Sequence, residues 1–167
     1  MSVVNFSAYK EYVGEVSFRD FFVMDKIEWK VNAMKERVFI NSKEVPAAIG
    51  AYSQAVKCGD MVWLSGQIPL DPTSMTVVGD NVSEQGVRVQ VNQVFTNLKN
   101  LCLASGGSLN DVVKINIFLL DMKYFPIINE VMAKFFIKPY PARAAVGVSS
   151  LPKGVCVEAE ATMVLDT

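Results

Sequence analysis

The last quarter of the chain constrains the fold more strongly than any other stretch. Residues 144–148 and 155–165 have the composition of β-strands, and Leu151-Pro152-Lys153-Gly154 between them has the composition of a turn. The pattern predicts a β-hairpin with Arg143 at the start of its first strand. Glu158 and Glu160 would share one face of the second strand, since side chains two residues apart in a strand point the same way.

This hairpin would bring a cation close to a carboxylate, which has two interpretations. The planar guanidinium of Arg143 suits a carboxylate ligand, because its donors match the two carboxylate oxygens. The alternative is a cross-strand ion pair at a sheet edge, which would contribute only about 0.2–1 kcal/mol to stability. The hairpin pattern alone does not choose between a binding site and an ion pair.

Composition restricts the chemistry that such a site could perform. The 167 residues suit one domain, with 51% hydrophobic and 20% charged residues and a net charge of −1, which does not favour nucleic acid or an anionic membrane as a partner. The chain has no histidine, so a carboxylate, tyrosine, lysine or water must carry any acid–base step. No metal site or cofactor is expected, because the three cysteines are widely spaced. Cys156 could be a reactive thiol, although its strand context favours a core position.

The chain divides near residue 36. Residues 1–35 mix apolar and acidic side chains and match neither a secretory signal nor an organelle presequence, so they are interpreted as an N-terminal extension of unknown role. The cytosol is the expected compartment, with mitochondrion or plastid left open. Residues 36–167 are predicted to form one domain.

The predicted elements of this domain follow the order β-β-β-α-β-α-β-β. Three short strands precede a helix capped by Ser83, a strand spans residues 112–120, and Asp121 caps a second helix. Residues 112–120 are apolar enough to be buried on much of both faces. The order predicts an α+β fold with a mixed sheet and two helices on one face. The last strand has an apolar face, and a second subunit is expected to cover the side of the sheet without helices.

At this point the motifs resemble one family. The chain is similar to the RidA (YjgF) family of enamine/imine deaminases, also called the L-PSP endoribonuclease family, in residues 45–55, 64–69, 110–114, 129–136, 140–143, 151–154 and 157–161. The resemblance covers residues 36–165 in order. It implies a chorismate-mutase-like fold assembled as a homotrimer, with sites in clefts between subunits.

The resemblance also implies a reaction and a set of site residues. Members hydrolyse reactive 2-imino acids and their enamine tautomers, such as 2-aminoacrylate and 2-aminocrotonate, to 2-oxo acids and ammonia, and thereby protect pyridoxal-phosphate enzymes. Arg143 would bind the substrate carboxylate and Glu158 would activate water, with Glu160 as the competing base. The residues expected to line the cleft are Tyr52, Ser65, Gly66, Asn129 and Ala145. Glu158 is expected to stay ionised because Arg143 would lie near it.

One position departs from the family, and two other functions stay open. The family usually has Gly-Pro-Tyr where this chain has Gly50-Ala51-Tyr52, which removes a fixed backbone φ angle before the tyrosine. The first alternative function is that of an endoribonuclease or translation inhibitor, although the chain lacks a basic stripe. The second is a trimer that binds small carboxylates without turnover, which would need Arg143 but not Glu158.

Overall fold

The computed structural model describes residues 36–166. The predicted extension, residues 1–35, lies outside the described residues, so its separation from the domain stays a prediction. Between residues 36 and 166 no helix is long and apolar enough to cross a membrane.

The elements occur in the predicted order. Their bounds are β1 Arg37–Ile40, β2 Ala55–Cys58, β3 Met61–Gln67, α1 Glu84–Ala104, β4 Val112–Leu119, α2 Phe125–Phe135, β5 Ala142–Gly147 and β6 Val157–Val164. Short 3-10 helices lie at Leu109–Asp111, Met122–Tyr124 and Pro152–Gly154. The α+β fold, a mixed sheet with two helices, is therefore confirmed for the described domain.

Helix ends follow the capping chemistry of the sequence. The Ser83 side chain accepts a hydrogen bond from the Gly86 backbone N–H and so begins α1 as predicted. Asp121 instead caps the 3-10 helix Met122–Tyr124, and α2 starts directly after it at Phe125. Pro126 lies in the first turn of α2, where a missing backbone N–H costs nothing.

The prediction of a C-terminal hairpin is wrong. The strand order is β1-β2-β3-β6-β4-β5, so β6 lies between β3 and β4, and β5 pairs with the far side of β4. Strands β4 and β5 are parallel, as expected for two strands joined through a helix, whereas β6 is antiparallel to both of its neighbours. Residues 151–154 therefore carry the chain past β4 rather than reversing it onto the preceding strand.

The alternation of β6 explains why this strand is central. Val157, Ala159, Ala161 and Met163 are buried on the face that α1 covers, while Glu158, Glu160, Thr162 and Val164 are half-buried on the other. The apolar face of β6 is thus covered by a helix of the same chain, and the expectation that a second subunit covers the side without helices stays a prediction. The opposite face of the sheet, the open face, still presents large apolar side chains, and Trp63 on β3 is 46% exposed there.

Strand β4 is less buried than its composition suggested. Ile115, Ile117 and Leu119 are buried on the helix side, but Asn116 and Phe118 between them are only half-buried on the open face. The prediction of burial on much of both faces is therefore wrong for the single chain. Within residues 36–166 the sheet has helices on one side only.

A buried glutamine joins α1 to the start of β6. Gln90 is fully buried, and its Oε1 accepts hydrogen bonds from the Cys156 backbone N–H at 3.0 Å and the Cys156 Sγ at 2.9 Å. Its Nε2 donates to Asn81 Oδ1 at 2.6 Å, and Asn81 donates to the Gly154 carbonyl. Burial raises the pKa of the Cys156 thiol to about 11, which favours the core position over a reactive thiol.

We expect Gln90→Met to destabilise the domain. Methionine fills a similar volume but cannot accept from Cys156 or donate to Asn81, and leaving buried polar groups unpaired costs about 1–3 kcal/mol. The free energy of unfolding from urea titration measures the loss. Gln85→Met, at an exposed position of the same helix, is the matched control. Equal stability of the two variants would show that the glutamine network contributes nothing.

Candidate active site

Arg143 faces the helices. In the parallel register of β4 and β5 it pairs with Ile115, whose side chain is buried on the helix side, and paired residues share a face. Ala145 lies on the same side two residues later and packs against the core. Because β5 is the last strand of the sheet, one of its edges has no neighbouring strand within residues 36–166.

Helix α2 holds the guanidinium group in place. Arg143 Nη1 donates to Asn129 Oδ1 at 2.8 Å and contacts Met132 Sδ at 3.4 Å. The guanidinium carbon lies 5.0 Å from the centre of the Phe125 ring, a cation–π distance. Residues 36–166 give Nε and Nη2 no hydrogen-bond partner, so these donors remain available to a ligand. Asn129, Arg143 and Ala145 are called the arginine group below.

The sequence prediction missed two supporting side chains of this group. Phe125 and Met132 are apolar residues of α2, and they were given no part in the predicted site. A signal for their role existed, because residues 125, 129 and 132 are spaced by four and three and so share one helix face. A polar Asn129 between two apolar neighbours marks the part of that face which meets a charged side chain.

Glu158 lies on the open face, beside a β-bulge. Leu64 pairs with Ala161 and Gln67 with Ala159, so Ser65 and Gly66 together oppose Glu160 alone. A Cβ atom placed on Gly66 would lie 3.0 Å from Glu158 Cδ and closer still to Oε1. Only glycine therefore lets the Glu158 carboxylate approach the bulge in this position.

Tyr52 and Ser65 lie around the same bulge. Ser65 Oγ donates to the Ser53 carbonyl at 2.7 Å, which ties the tyrosine loop to β3. Tyr52 Oη accepts from the Ile49 backbone N–H at 3.2 Å, and the ring lines a cleft that Gly66 also lines. This cleft measures ≈ 10 Å³, room for about one water molecule. Tyr52, Ser65, Gly66 and Glu158 are called the glutamate group.

The two carboxylates of β6 have different partners. Glu160 Oε1 accepts from Asn116 Nδ2 at 3.0 Å, whereas no hydrogen bond or ion pair from residues 36–166 reaches the Glu158 carboxylate. Burial raises the Glu158 pKa above its ordinary value of 4.5, and the negative charge of Glu160 raises that pKa further. Of the two, Glu158 is the one whose oxygens are free to bind a proton or water.

The predicted site is thus divided within one chain. Arg143 faces the helices and Glu158 faces away from them, and β4 lies between the strands β5 and β6 that carry these two residues. Arg143 does not pair with Glu158 or Glu160, so both the predicted proximity and the alternative of a cross-strand ion pair are wrong for the single chain. The expected effect of Arg143 on the Glu158 pKa is also absent. Among residues 36–166 no cluster of three side chains could hold a metal ion.

Comparison with known proteins identifies the family. The endoribonuclease L-PSP family model matches residues 42–165. The chain belongs to the RidA (L-PSP) family.

Relatives of the RidA family match nearly the whole domain. A protein of Dermatophagoides farinae named 2-iminobutanoate/2-iminopropanoate deaminase is 43% identical over 133 residues, 80% of this chain and 100% of that protein. The crystal structure of RidA from Psychrobacter sp. PAMC 21119 is 46% identical with a TM-score of 0.72, over 77% of this chain and 99% of the other. TdcF of E. coli, solved with bound serine, is 37% identical with a TM-score of 0.71, over 77% and 99% of the two chains.

The position that departs from the RidA family pattern lies in a tight turn. The Tyr52 backbone N–H donates to the Gly50 carbonyl at 3.0 Å, so the turn is centred on Ala51. No backbone hydrogen bond from Ala51 N–H occurs within residues 36–166, and its φ angle is not positive. Proline at position 51 would therefore lose no hydrogen bond.

We expect Ala51→Pro to stabilise the domain by about 0.4–1 kcal/mol, because proline restricts the unfolded chain. Thermal unfolding measures the increase in Tm. Ala55→Pro is the contrasting variant, since Ala55 is buried in β2 between two neighbouring strands and should be strongly destabilised. A decrease in Tm for Ala51→Pro would mean that this turn needs a φ angle that proline does not adopt.

We expect Glu160→Gln to lower the Glu158 pKa. The substitution removes the like charge that favours the protonated form, while burial still holds the pKa above 4.5. NMR titration of ¹³C-labelled glutamate carboxyl groups measures the midpoint. Glu44→Gln, an exposed carboxylate outside β6, should leave it unchanged. An unchanged midpoint in Glu160→Gln would show that the two carboxylates do not interact.

Proposed function

We propose that the protein hydrolyses 2-imino acids and their enamine tautomers to 2-oxo acids and ammonia. The observation that carries this proposal is the guanidinium of Arg143, which α2 holds through one nitrogen while Nε and Nη2 stay free of partners from residues 36–166. Such a fork fits the carboxylate that every 2-imino acid carries. The relative named 2-iminobutanoate/2-iminopropanoate deaminase supports the same substrate class.

The site is proposed to form between two copies of the chain. Arg143 and Glu158 lie on opposite faces of one sheet, so one chain cannot bring both to a single substrate. A homotrimer in which β5 of one subunit meets the bulge of the next would unite them. The exposed apolar side chains of the open face, such as Met61 and Trp63, support burial of this face against other subunits.

In the proposed mechanism the Glu158 carboxylate both accepts and donates protons. Arg143 holds the substrate carboxylate, and Glu158 takes a proton from water as the water oxygen bonds to the imine carbon. Glu158 passes this proton to the imine nitrogen, which gives a carbinolamine. It then removes the hydroxyl proton and delivers it to the departing nitrogen, so that the C–N bond breaks, the C=O bond forms and ammonia leaves. The raised Glu158 pKa suits a group that both accepts and returns a proton.

The residue inventory is consistent with this reaction. An imine carbon is already electrophilic, so a covalent nucleophile is not required. Orientation by the arginine and one general base can supply the acceleration. Gly66 would matter because its missing side chain leaves the space that the Glu158 carboxylate occupies.

We expect Arg143→Ala to abolish turnover without loss of the trimer. A serine or threonine dehydratase generates the imine, semicarbazide traps it, and oxo-acid formation against the trap measures hydrolysis. Arg143→Lys keeps the charge but loses the planar fork, so it should retain at most about a hundredth of the activity, from a loss of roughly 3 kcal/mol in charge-assisted hydrogen bonding.

Arg88→Ala is the control for this experiment, because Arg88 pairs with Glu130 outside both groups. Analytical ultracentrifugation of each variant monitors assembly. Full activity of Arg143→Ala would contradict the proposed carboxylate contact, and loss of the trimer would make Arg143 structural.

Mixing two inactive variants tests whether the site is shared. Arg143→Ala and Glu158→Gln should each be inactive, but mixed trimers refolded together at equal amounts should regain about a quarter of the wild-type sites if each site uses two subunits. Arg143→Ala mixed with Asn129→Ala is the control, because both changes fall in the arginine group and no intact group can form. No recovery in the first mixture would place the whole site within one chain.

RNA cleavage is the second candidate, because the description of the matching family model names an endoribonuclease. The net charge of −1 argues against it, since RNA binding depends on phosphate neutralisation. Cleavage of a single-stranded RNA that survives in Glu158→Gln and falls steeply with salt would favour this activity over deamination.

A further inference from the structure

A cavity opens on the helix side of the domain, away from the open face. It measures ≈ 330 Å³ and is lined by Lys99, Leu103, Ser108, Leu109, Asn110, Lys134 and Phe135. These residues come from the later part of α1, the 3-10 turn after it and the end of α2. We call it the outer cavity. Its volume lies within the range of about 300–1,000 Å³ that is typical of small-molecule sites.

The floor of the outer cavity is apolar and fixed by the core. Leu109 is buried, and the Phe135 ring packs on Phe95 with 5.5 Å between ring centres. Leu103 is 57% exposed although it is a large apolar side chain. A ligand with an apolar body would cover this surface, and the core behind it would keep the floor from collapsing.

The rim of the outer cavity is positively charged. Lys99 and Lys134 line it together, and none of the lining residues from the described part of the chain is acidic. The ion pairs of the described part of the chain join Arg88 to Glu130 and Lys123 to Asp121, so neither of these two lysines has a carboxylate partner there. The outer cavity therefore attracts anions.

Near the rim, the Asn110 side chain is available to bind a ligand, whereas the Ser108 and Asp111 side chains bond to each other. The Asn110 side-chain amide has no hydrogen-bond partner among residues 36–166 and can donate to a ligand. Ser108 Oγ donates to Asp111 Oδ2 at 3.0 Å, and the Ser108 backbone N–H donates to the same oxygen at 2.7 Å. The Asp111 carboxylate is thus engaged in its own turn, and the Glu130 carboxylate, one helical turn before Lys134, pairs with Arg88.

The helix dipole explains the position of Lys134 but not that of Lys99. Lys134 lies in the last turn of α2, where a cation stabilises the helix dipole. Lys99 lies before the last turn of α1, which contains no basic residue. Its position beside Lys134 at the mouth of an apolar cavity has no such explanation in the single chain.

We propose that the outer cavity binds a small organic anion. The charged head, a phosphate or a carboxylate, lies between Lys99 and Lys134 within reach of Asn110. The apolar body lies on Leu103, Leu109 and Phe135. This site is separate from the arginine group and the glutamate group, and it does not depend on the proposed deaminase activity.

Isothermal titration of the full chain with phenyl phosphate and with phenylacetate tests the proposal. At least one of these probes should bind, and the tighter one identifies the head group. Lys99→Gln and Lys134→Gln should each weaken binding about fivefold, the effect of one exposed charge contact. Leu103→Glu places a carboxylate on the floor and should abolish binding, and the exposed position of Leu103 keeps the fold intact.

Matched controls separate this site from other sources of binding. Lys43→Gln removes an exposed lysine outside the outer cavity and should not change the affinity. Arg143→Ala should not change the affinity for phenyl phosphate, because Arg143 lies in the other candidate site, and titrating this variant with phenylacetate removes any carboxylate binding at Arg143. Benzyl alcohol lacks the charge and inorganic phosphate lacks the apolar body, so both should bind at least about fivefold more weakly than the better probe.

Several results would overturn the proposal. These are no binding of either aromatic anion in Arg143→Ala, equal loss in Lys43→Gln and Lys99→Gln, or phenyl phosphate binding that Arg143→Ala removes. Inorganic phosphate binding as tightly as phenyl phosphate would show that the floor plays no part. Binding of an acidic peptide without either small anion would make the surface a protein contact.

Discussion

Strand β6 bonds to β3 on one edge and to β4 on the other, and its side chains alternate between the helices and the open face. Small and apolar residues on the helix side let α1 pack directly on the strand, which anchors the core. The same alternation directs Glu158 and Glu160 to the other side. Stability and the candidate chemistry therefore use opposite faces of one strand, and a carboxylate can be retained there without entering the core.

The bulge in β3 depends on this central strand. Two residues of β3 oppose one of β6, so Ser65 and Gly66 are pushed out of the regular ladder next to Glu158. Glycine supplies the space, and the bond from Ser65 to the Ser53 carbonyl brings the Tyr52 loop to the same place. The glutamate group is a product of sheet geometry rather than of a flexible loop, which suits a site that must hold one carboxylate in position.

The sequence predicted which helices and strands form better than it predicted which strands pair. The Ser83 cap and the composition of the strands are local signals, and the helix and strands that they indicated are present. The predicted hairpin is absent because the pairing of strands depends on the whole sheet. The helix between β4 and β5 makes these two strands parallel. Strand β6 then pairs with the other edge of β4. Arg143 and Glu158 were consequently predicted to be neighbours, although the structure places them on opposite faces. The support of Arg143 by Phe125 and Met132 was also missed, since the spacing of these residues shows that they share one helix face but not which strand that face meets.

Helix α2 connects the features that face away from the open side of the sheet. Its first turns hold the Arg143 guanidinium through Phe125 and Asn129, and its last turn contributes Lys134 and Phe135 to the outer cavity. Phe135 also packs on Phe95 of α1, so the helix is fixed between the core and the edge strand. A rigid helix of 11 residues thus borders an arginine at one end and an anion-attracting cavity at the other. Arg143 and the outer cavity both favour anions, so the charged group of a metabolite would decide which of them it binds. The planar guanidinium of Arg143 selects a carboxylate, whereas the separate ammonium groups of Lys99 and Lys134 accept any compact anion.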